Sequence, residues 1–193
     1  NSYLDFVHGF YAFSSYGQKE MASQMDAVSF GWSRMEYSDD GDVVVNTTAA
    51  NNNEWNVPSG YTDIVEYLDD SKVDTNLSVY MSASESDDAE IILSDAGNRT
   101  AAVDAIIEEL TVDYNQLGYN PYDGVTIDFE NLRSNMRDNF TAFLRELGDR
   151  LETINKSLYV TVQPNMKNSS YFDGYDFRAI GDIADKVILM AYD

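Results

Sequence analysis

The chain reads as an α/β protein built on a parallel sheet, and three observations predict it. Short β-branched and aromatic runs alternate with amphipathic segments, strand then helix, six times over 193 residues, the pattern of parallel βαβ units of ~30 residues each. The residues with chemistry to offer, Tyr11, Trp32, Glu130, Gln163 and Tyr192, fall at or near the C-terminal ends of different runs, where parallel sheets carry their sites whether open or closed into a barrel. No glycine fingerprint for a dinucleotide follows the first run, which weakens the open, doubly wound alternative.

Taken in order, Phe6–Phe13 is a continuous apolar run that stops at Ser14-Ser15-Tyr16-Gly17 and reads as a first strand buried on both faces. A short helical patch spans Gln18–Met25, and Ala27–Ser33 is the second strand. Residues 34–60 read as long and irregular, with a turn at Asp39-Asp40-Gly41-Asp42, a short hairpin arm at Val43–Val45 and a loop at Asn51-Asn52-Asn53. The acidic turn lacks EF-hand spacing and a closing Glu, so it reads as a solvated turn and not a calcium loop. Tyr61–Asp70 is an amphipathic helix with Ile64, Val65 and Leu68 on one face. Leu77–Ser82 is the third strand. Helices follow at Ser86–Leu93 and Asn98–Leu117, the latter with Ala102, Ile106, Leu110 and Tyr114 at helical spacing. Gly118–Asp123 turns into the fourth strand. The clearest helix spans Met136–Ile154, with Phe140, Phe143, Leu144, Leu147 and Leu151 as its apolar face. Ser157–Gln163 is the fifth strand, stopped by Pro164; residues 165–175 are loop; Phe177–Ala184 is a helical turn; Lys186–Tyr192 is the sixth strand.

The fourth strand, Asp123-Gly124-Val125-Thr126-Ile127-Asp128-Phe129-Glu130, carries the chemistry. With period-two alternation Val125, Ile127 and Phe129 point one way, and Gly124, Thr126, Asp128 and Glu130 the other. Burying two carboxylates costs several kcal/mol unless they are paired or protonated, so the stretch marks a site and not packing. Asp128 and Glu130 stand ~6–7 Å apart along the strand. Like charges that close push one pKa up, which is what a general acid needs near neutral pH. Glu130, at the strand end, reaches a substrate; Asp128, one layer deeper, orients and tunes it.

Composition narrows the function. A net charge of −22 argues against nucleic acid and anionic membrane surfaces as partners, since both need a basic patch, and no apolar run has the length of a membrane span. The absence of cysteine removes disulfides, thiolate zinc sites and cysteine nucleophiles. The lone histidine, His8, lies in an apolar run without a nucleophile elbow elsewhere, so it reads as a strand histidine and not as the base of a serine triad. The length predicts one domain. The start at Asn1-Ser2-Tyr3 carries no signal-peptide pattern, as expected of a trimmed or mature beginning.

The stretch DGVTIDFE resembles the signature strand of glycoside hydrolase family 18, the chitinase-like enzymes, and Met190-Ala191-Tyr192-Asp193 resembles that family's Met-x-Tyr-Asp strand end. Two departures are informative. Thr126 stands where the family often has Asp, as in the branch of spore-cortex and cell-wall N-acetylglucosaminidases. Tyr80-Met81-Ser82-Ala83-Ser84 stands where chitinases carry a serine-glycine-glycine motif. The resemblance implies a (β/α)8 barrel spanning residues 1–193, with six units present and the last two missing, and exposed barrel edges through which the chain is expected to oligomerise. It also implies a retaining, substrate-assisted hydrolase that needs neither metal nor cofactor. Glu130, Asp128 and Tyr192 would be catalytic. Asp123, Asp193, Thr126, Met190 and Gln163 would support them or bind substrate; in a sugar site Tyr11 and Trp32, near the ends of their strands, would stack on pyranose rings, with two core aromatics as the alternative reading. The implied partner is a polysaccharide, peptidoglycan first and chitin second, met outside a bacterial cell or in its wall or spore. A non-catalytic carbohydrate-binding relative is the alternative, although such relatives typically lose the Glu.

Overall fold

The computed structural model describes residues 8–10, 27–46, 74–112, 118–120, 122–163 and 173–190. The remainder of the first apolar run, the patch at Gln18–Met25, the loop at Asn51–Asn53 and the helix at Tyr61–Asp70 lie outside the described residues. Among the described residues seven strands form one sheet: β1 His8–Phe10, β2 Ala27–Tyr37, β3 Val43–Asn46, β4 Asp74–Ser82, β5 Gly124–Glu130, β6 Ser157–Val162 and β7 Lys186–Leu189. The described helices are α1 Asp88–Ser94, α2 Ala96–Glu109, α3 Arg137–Thr153 and α4 Phe177–Ile183, with a 3-10 turn at Ser134–Met136 leading into α3.

The order across the sheet is β1-β2-β4-β5-β6-β7, every neighbouring pair parallel, with β3 hanging antiparallel from β2. The parallel strands lie in chain order with no reversal. A doubly wound sheet reverses its order at a switch point; a (β/α)8 barrel is wound in one direction, as here. Among the described residues β1 and β7 are the edges, and β7 leaves Leu189 60% exposed.

The register divides the sheet into two faces. Val79 pairs with Ile127 and Ile127 with Val160, so one apolar side of β4, β5 and β6 is continuous. It meets the helices: Phe129 stacks on Phe143 of α3 with centroids 5.4 Å apart and lies 5.7 Å from Phe140. All five apolar positions predicted for α3 are buried. Asp138 in its first turn and Arg150 in its last complement the helix dipole. The chain leaves α3 through left-handed Asn155, φ 55°. The opposite face of the sheet is polar yet buried: Asn76, Ser78 and Ser82 on β4, Thr126 and Asp128 on β5, and Thr161 and Gln163 at and beyond the end of β6.

Two boundaries differ from the pattern-based expectation. The second strand runs on to Tyr37, and residues 34–37 pair with Val43–Asn46 instead of opening an irregular segment. Charged Arg34 and Glu36 interrupt the apolar run there, but Met35 between them is buried. The turn joining β2 and β3 closes on Ser38, whose carbonyl accepts from the Gly41 amide (2.9 Å) and whose amide donates to the Asp42 carbonyl (2.8 Å); Gly41 supplies φ 84°. Helix α2 starts on its cap Asp95, which accepts from the Asn98 amide at 2.9 Å, and ends at Glu109 instead of Leu117. Its end is closed from outside: the Asn120 side chain donates to the carbonyls of Glu109 (3.0 Å) and Val112 (2.8 Å). Tyr114, expected to continue the helix, lies outside the described residues.

Gly124 opens β5 at a point with no room for a side chain. A Cβ there would stand 2.3 Å from the Ser157 carbonyl oxygen, because β5 and β6 close on each other at that register.

Candidate active site

Asp128 and Glu130 project from the polar face at the C-terminal end of β5. Asp128 is 8% exposed; Glu130 is partly exposed at the rim. The Thr161 hydroxyl donates to Asp128 Oδ1 at 2.8 Å, and the Asp128 carboxyl also hydrogen-bonds the Glu130 side chain. Burial first, then the Glu130 charge, pushes Asp128 up to about 7, while the Thr161 bond opposes the shift. Asp128 therefore keeps its proton up to about neutral pH. The raised value belongs to the deeper residue of the pair.

Tyr80 stands opposite Asp128 in the register, as Ser82 stands opposite Glu130. Its hydroxyl donates to Glu85 Oε1 at 2.7 Å, Arg34 lies over its ring at 5.4 Å, and Arg34 Nη1 meets Glu85 Oε2 at 3.1 Å. Burial raises the Tyr80 phenol well above its ordinary value, and the bond to Glu85 and the negative charge of Glu130 add to it. Tyr80 stays a neutral donor at the working face. Thr126 sits deeper, accepting from Asn76 Nδ2 at 3.3 Å.

Gln163 is buried and committed to other protein groups. Its Oε1 accepts from the Asn131 amide at 2.7 Å and from the Tyr175 hydroxyl at 3.1 Å, and its Nε2 donates to Asn131 Oδ1 at 3.3 Å. It braces the loop after Glu130. Asp123 requires a correction. It precedes β5 at the N-terminal end, where Oδ2 accepts from the Thr75 amide at 2.8 Å and its carbonyl accepts from the Ser157 amide at 3.0 Å. A strand rises ~3.3 Å per residue, so Asp123 lies ~20 Å from Glu130 and ties β4, β5 and β6 together at the far end of the sheet. Met190 follows β7 and donates its amide to the Val162 carbonyl at 2.8 Å. Trp32 lies within β2, its side chain outside the described residues, as are Tyr11, Tyr192 and Asp193 altogether.

Sequence reasoning missed Thr161, Tyr80, Asn131 and Tyr175. Thr161 had a signal: Tyr159, Thr161 and Gln163 alternate as the polar side of β6, matching the alternation that found Asp128.

The raised Asp128 value has a stability consequence. In the unfolded chain the carboxyl titrates near 3.8; folded, it keeps its proton to about 7. Between those values the native state binds more protons than the unfolded state, so this group's contribution is full below ~4 and is lost as pH rises to ~7. Asp128→Asn keeps an acceptor for Thr161 and removes the buried charge. At pH 8 the variant is expected to be more stable by at least ~1 kcal/mol, ~2–4 °C in Tm, with the gap closing near pH 4 in thermal melts. Equal Tm at pH 8 would contradict the assignment.

The family model for glycosyl hydrolases family 18 matches residues 6–193. A curated relative, the sporulation-specific glycosylase by name YdhD of Bacillus subtilis strain 168, is 40% identical over 81 residues, 42% of this chain and 19% of the relative. Its crystal structure overlays with a TM-score of 0.63 at 28% identity, over 86% of this chain and 49% of that one. A chitinase from Chromobacterium violaceum overlays with a TM-score of 0.71 at 23% identity, over 97% of this chain and 56% of the other. The Bacillus cereus spore cortex-lytic enzyme SleL gives 0.66 at 18% identity, over 97% and 42%. The chain thus spans about half the length of the solved structures it matches, and less of the curated relative.

Proposed function

The chain belongs to the glycosyl hydrolases of family 18, and on that premise we propose that it hydrolyses β-1,4 bonds next to N-acetylglucosamine in the peptidoglycan backbone, by a retaining, substrate-assisted mechanism. The observation that carries the reading is the Asp128–Glu130 pair on one face at the C-terminal end of β5, with buried Asp128 held protonated to about neutral pH beside the Glu130 carboxyl. Glu130 delivers a proton to the leaving glycosidic oxygen. The sugar's own 2-acetamido oxygen attacks the anomeric carbon and closes an oxazolinium ring, so the second carboxylate need not be the nucleophile. Asp128 then holds the acetamido N–H and offsets the positive ring. Water opens the ring as Glu130 takes the proton back. Tyr192 donates to the acetamido oxygen, and Met190 and Asp193 support that strand end. Trp32 and Tyr11 offer aromatic faces to the sugar. Thr126 replaces the deeper Asp that would add a further charge under Asp128. The mechanism uses no metal.

Peptidoglycan ranks first because YdhD and SleL bear sporulation and spore-cortex names, and because Thr126 fits that branch. A bacterial wall or spore location follows from the same reading. Chitin is the second reading, favoured by the overlay on the chitinase. Mass spectrometry of digests of purified peptidoglycan and of chitin hexamer decides between them. Peptidoglycan fragments ending in reducing N-acetylglucosamine are expected. Products from chitin alone would move the substrate. Sugar binding without products from either would make the protein a lectin.

A further inference from the structure

Glu130 is followed by a residue in a conformation that most side chains avoid. Asn131 has φ 60°, the left-handed region, which Asn tolerates better than any residue except Gly. The chain turns off β5 there, and Asn131 is tied in three directions. Its Nδ2 donates to the hydroxyls of Ser82 (2.9 Å) and Ser84 (2.8 Å) at the end of β4. Its Oδ1 accepts from Gln163 Nε2 at 3.3 Å, and its backbone N–H donates to Gln163 Oε1 at 2.7 Å, both at the end of β6. The peptide groups on either side of the Glu130 Cα are held as well. The Glu130 carbonyl accepts from the Ala83 amide at 3.0 Å, and the Phe129 carbonyl accepts from the buried Tyr175 hydroxyl at 2.5 Å. The segment Tyr80–Ser84 departs from the serine-glycine-glycine motif of chitinases, and here its serines have a use: a glycine at 82 or 84 offers Asn131 no acceptor.

We infer that Asn131 is the positioning residue for Glu130: its left-handed turn and its amide, locked to Ser82, Ser84 and Gln163, aim the Glu130 carboxyl at Asp128 and at the bond to be cleaved. Asn131 reaches across from one neighbouring strand to the other, so β4 and β6 cannot splay without moving the acid. The inference rests on the hydrolase reading for the word acid, but its geometry stands apart from the identity of the substrate.

The test uses Asn131→Gly, which keeps the left-handed turn and removes only the side-chain bonds, with the pair Ser82→Ala/Ser84→Ala removing the same bonds from the other side and leaving the turn untouched. Both are expected to lower kcat ~10–100-fold with KM within ~3-fold, since a misplaced acid weakens the chemical step and not binding. Freed from Asp128, Glu130 raises its partner less, so the pH limb governed by the pair shifts down. Asn131→Asp can still accept from the serines and from Gln163, and adds a negative charge beside the pair. It is expected to recover part of kcat and to shift the limb up. Folding is verified by thermal melts of each variant. Wild-type kcat with an unmoved pH limb in both the glycine and the double serine variant would overturn the inference. If the wild type cleaves neither substrate, the functional reading fails separately. Carbon-13 carboxyl titration of Asp128 and Glu130 then judges the positioning role: titration midpoints shifted in the variants support it, and unchanged midpoints refute it.

Discussion

Glu130→Gln is expected to lower kcat/KM on a polysaccharide substrate by ~10³-fold or more, while the folded structure and substrate binding persist. The amide keeps the shape of the carboxyl beside Asp128, at the register position opposite Ser82, but it cannot give up a proton to a leaving alkoxide. General acid catalysis by a positioned side chain contributes ~10²–10⁴-fold. The loss falls in kcat, because the leaving oxygen gains charge only in the transition state. One feature separates lost acid catalysis from general damage. An aryl glycoside with a very acidic phenol needs little protonation to depart, so the variant's deficit is expected to shrink at least ~10-fold on such a substrate. A deficit below tenfold on the natural polymer, or an equal deficit on both, would remove Glu130 from the role of acid.

Phe140→Ala is expected to remove ~3–5 kcal/mol of stability, the range for truncating a fully buried aromatic ring. Phe140 has no exposed surface and sits where three rings meet. Phe129 of β5 lies 5.7 Å away, Phe143 of α3 lies 6.4 Å away, and Tyr175 meets it edge-on at 5.9 Å. Alanine leaves a cavity between strand and helix that packed neighbours fill only in part. At ~2–4 °C per kcal/mol for a chain of this size, Tm falls by ~6–20 °C. Phe129 lies between the two carboxylates in sequence and Tyr175 holds its carbonyl, so the same variant is expected to loosen β5 and, on the proposed function, to lower activity below its melting point. A change under ~1 kcal/mol by thermal or urea unfolding would show that the cluster relaxes freely.

The parts of this protein legible in the sequence are those governed by local periodicity. Alternation in DGVTIDFE correctly divides Phe129 from Asp128 and Glu130, because a strand sends successive side chains to opposite faces whatever surrounds it. The apolar spacing of Phe140, Phe143, Leu144, Leu147 and Leu151 likewise identifies the buried face of α3. Where short-range pattern competes with a tertiary contact, the pattern misleads. The spacing from Asn98 to Tyr114 suggests a longer helix than the one Asn120 closes by capping Glu109 and Val112. Charged Arg34 and Glu36 hide the end of a strand that pairing with β3 restores.

Asp123 shows the limit most plainly, since it belongs to the same motif as Glu130 yet sits at the other end of the sheet joining three strands. The sequence by itself determined the alternating strand and helix elements, the acidic strand end and the family pattern, because these depend on residues within reach of one another along the chain. Only the tertiary structure decided which groups surround Asp128 and Glu130. Thr161 lies 33 positions from Asp128, Ser82 lies 49 from Asn131, and Tyr175 lies 46 from Phe129. Parallel strands meet only after a crossover of a dozen or more residues, and the register of that meeting is set by how the helices pack behind the sheet. No spacing within one segment encodes it.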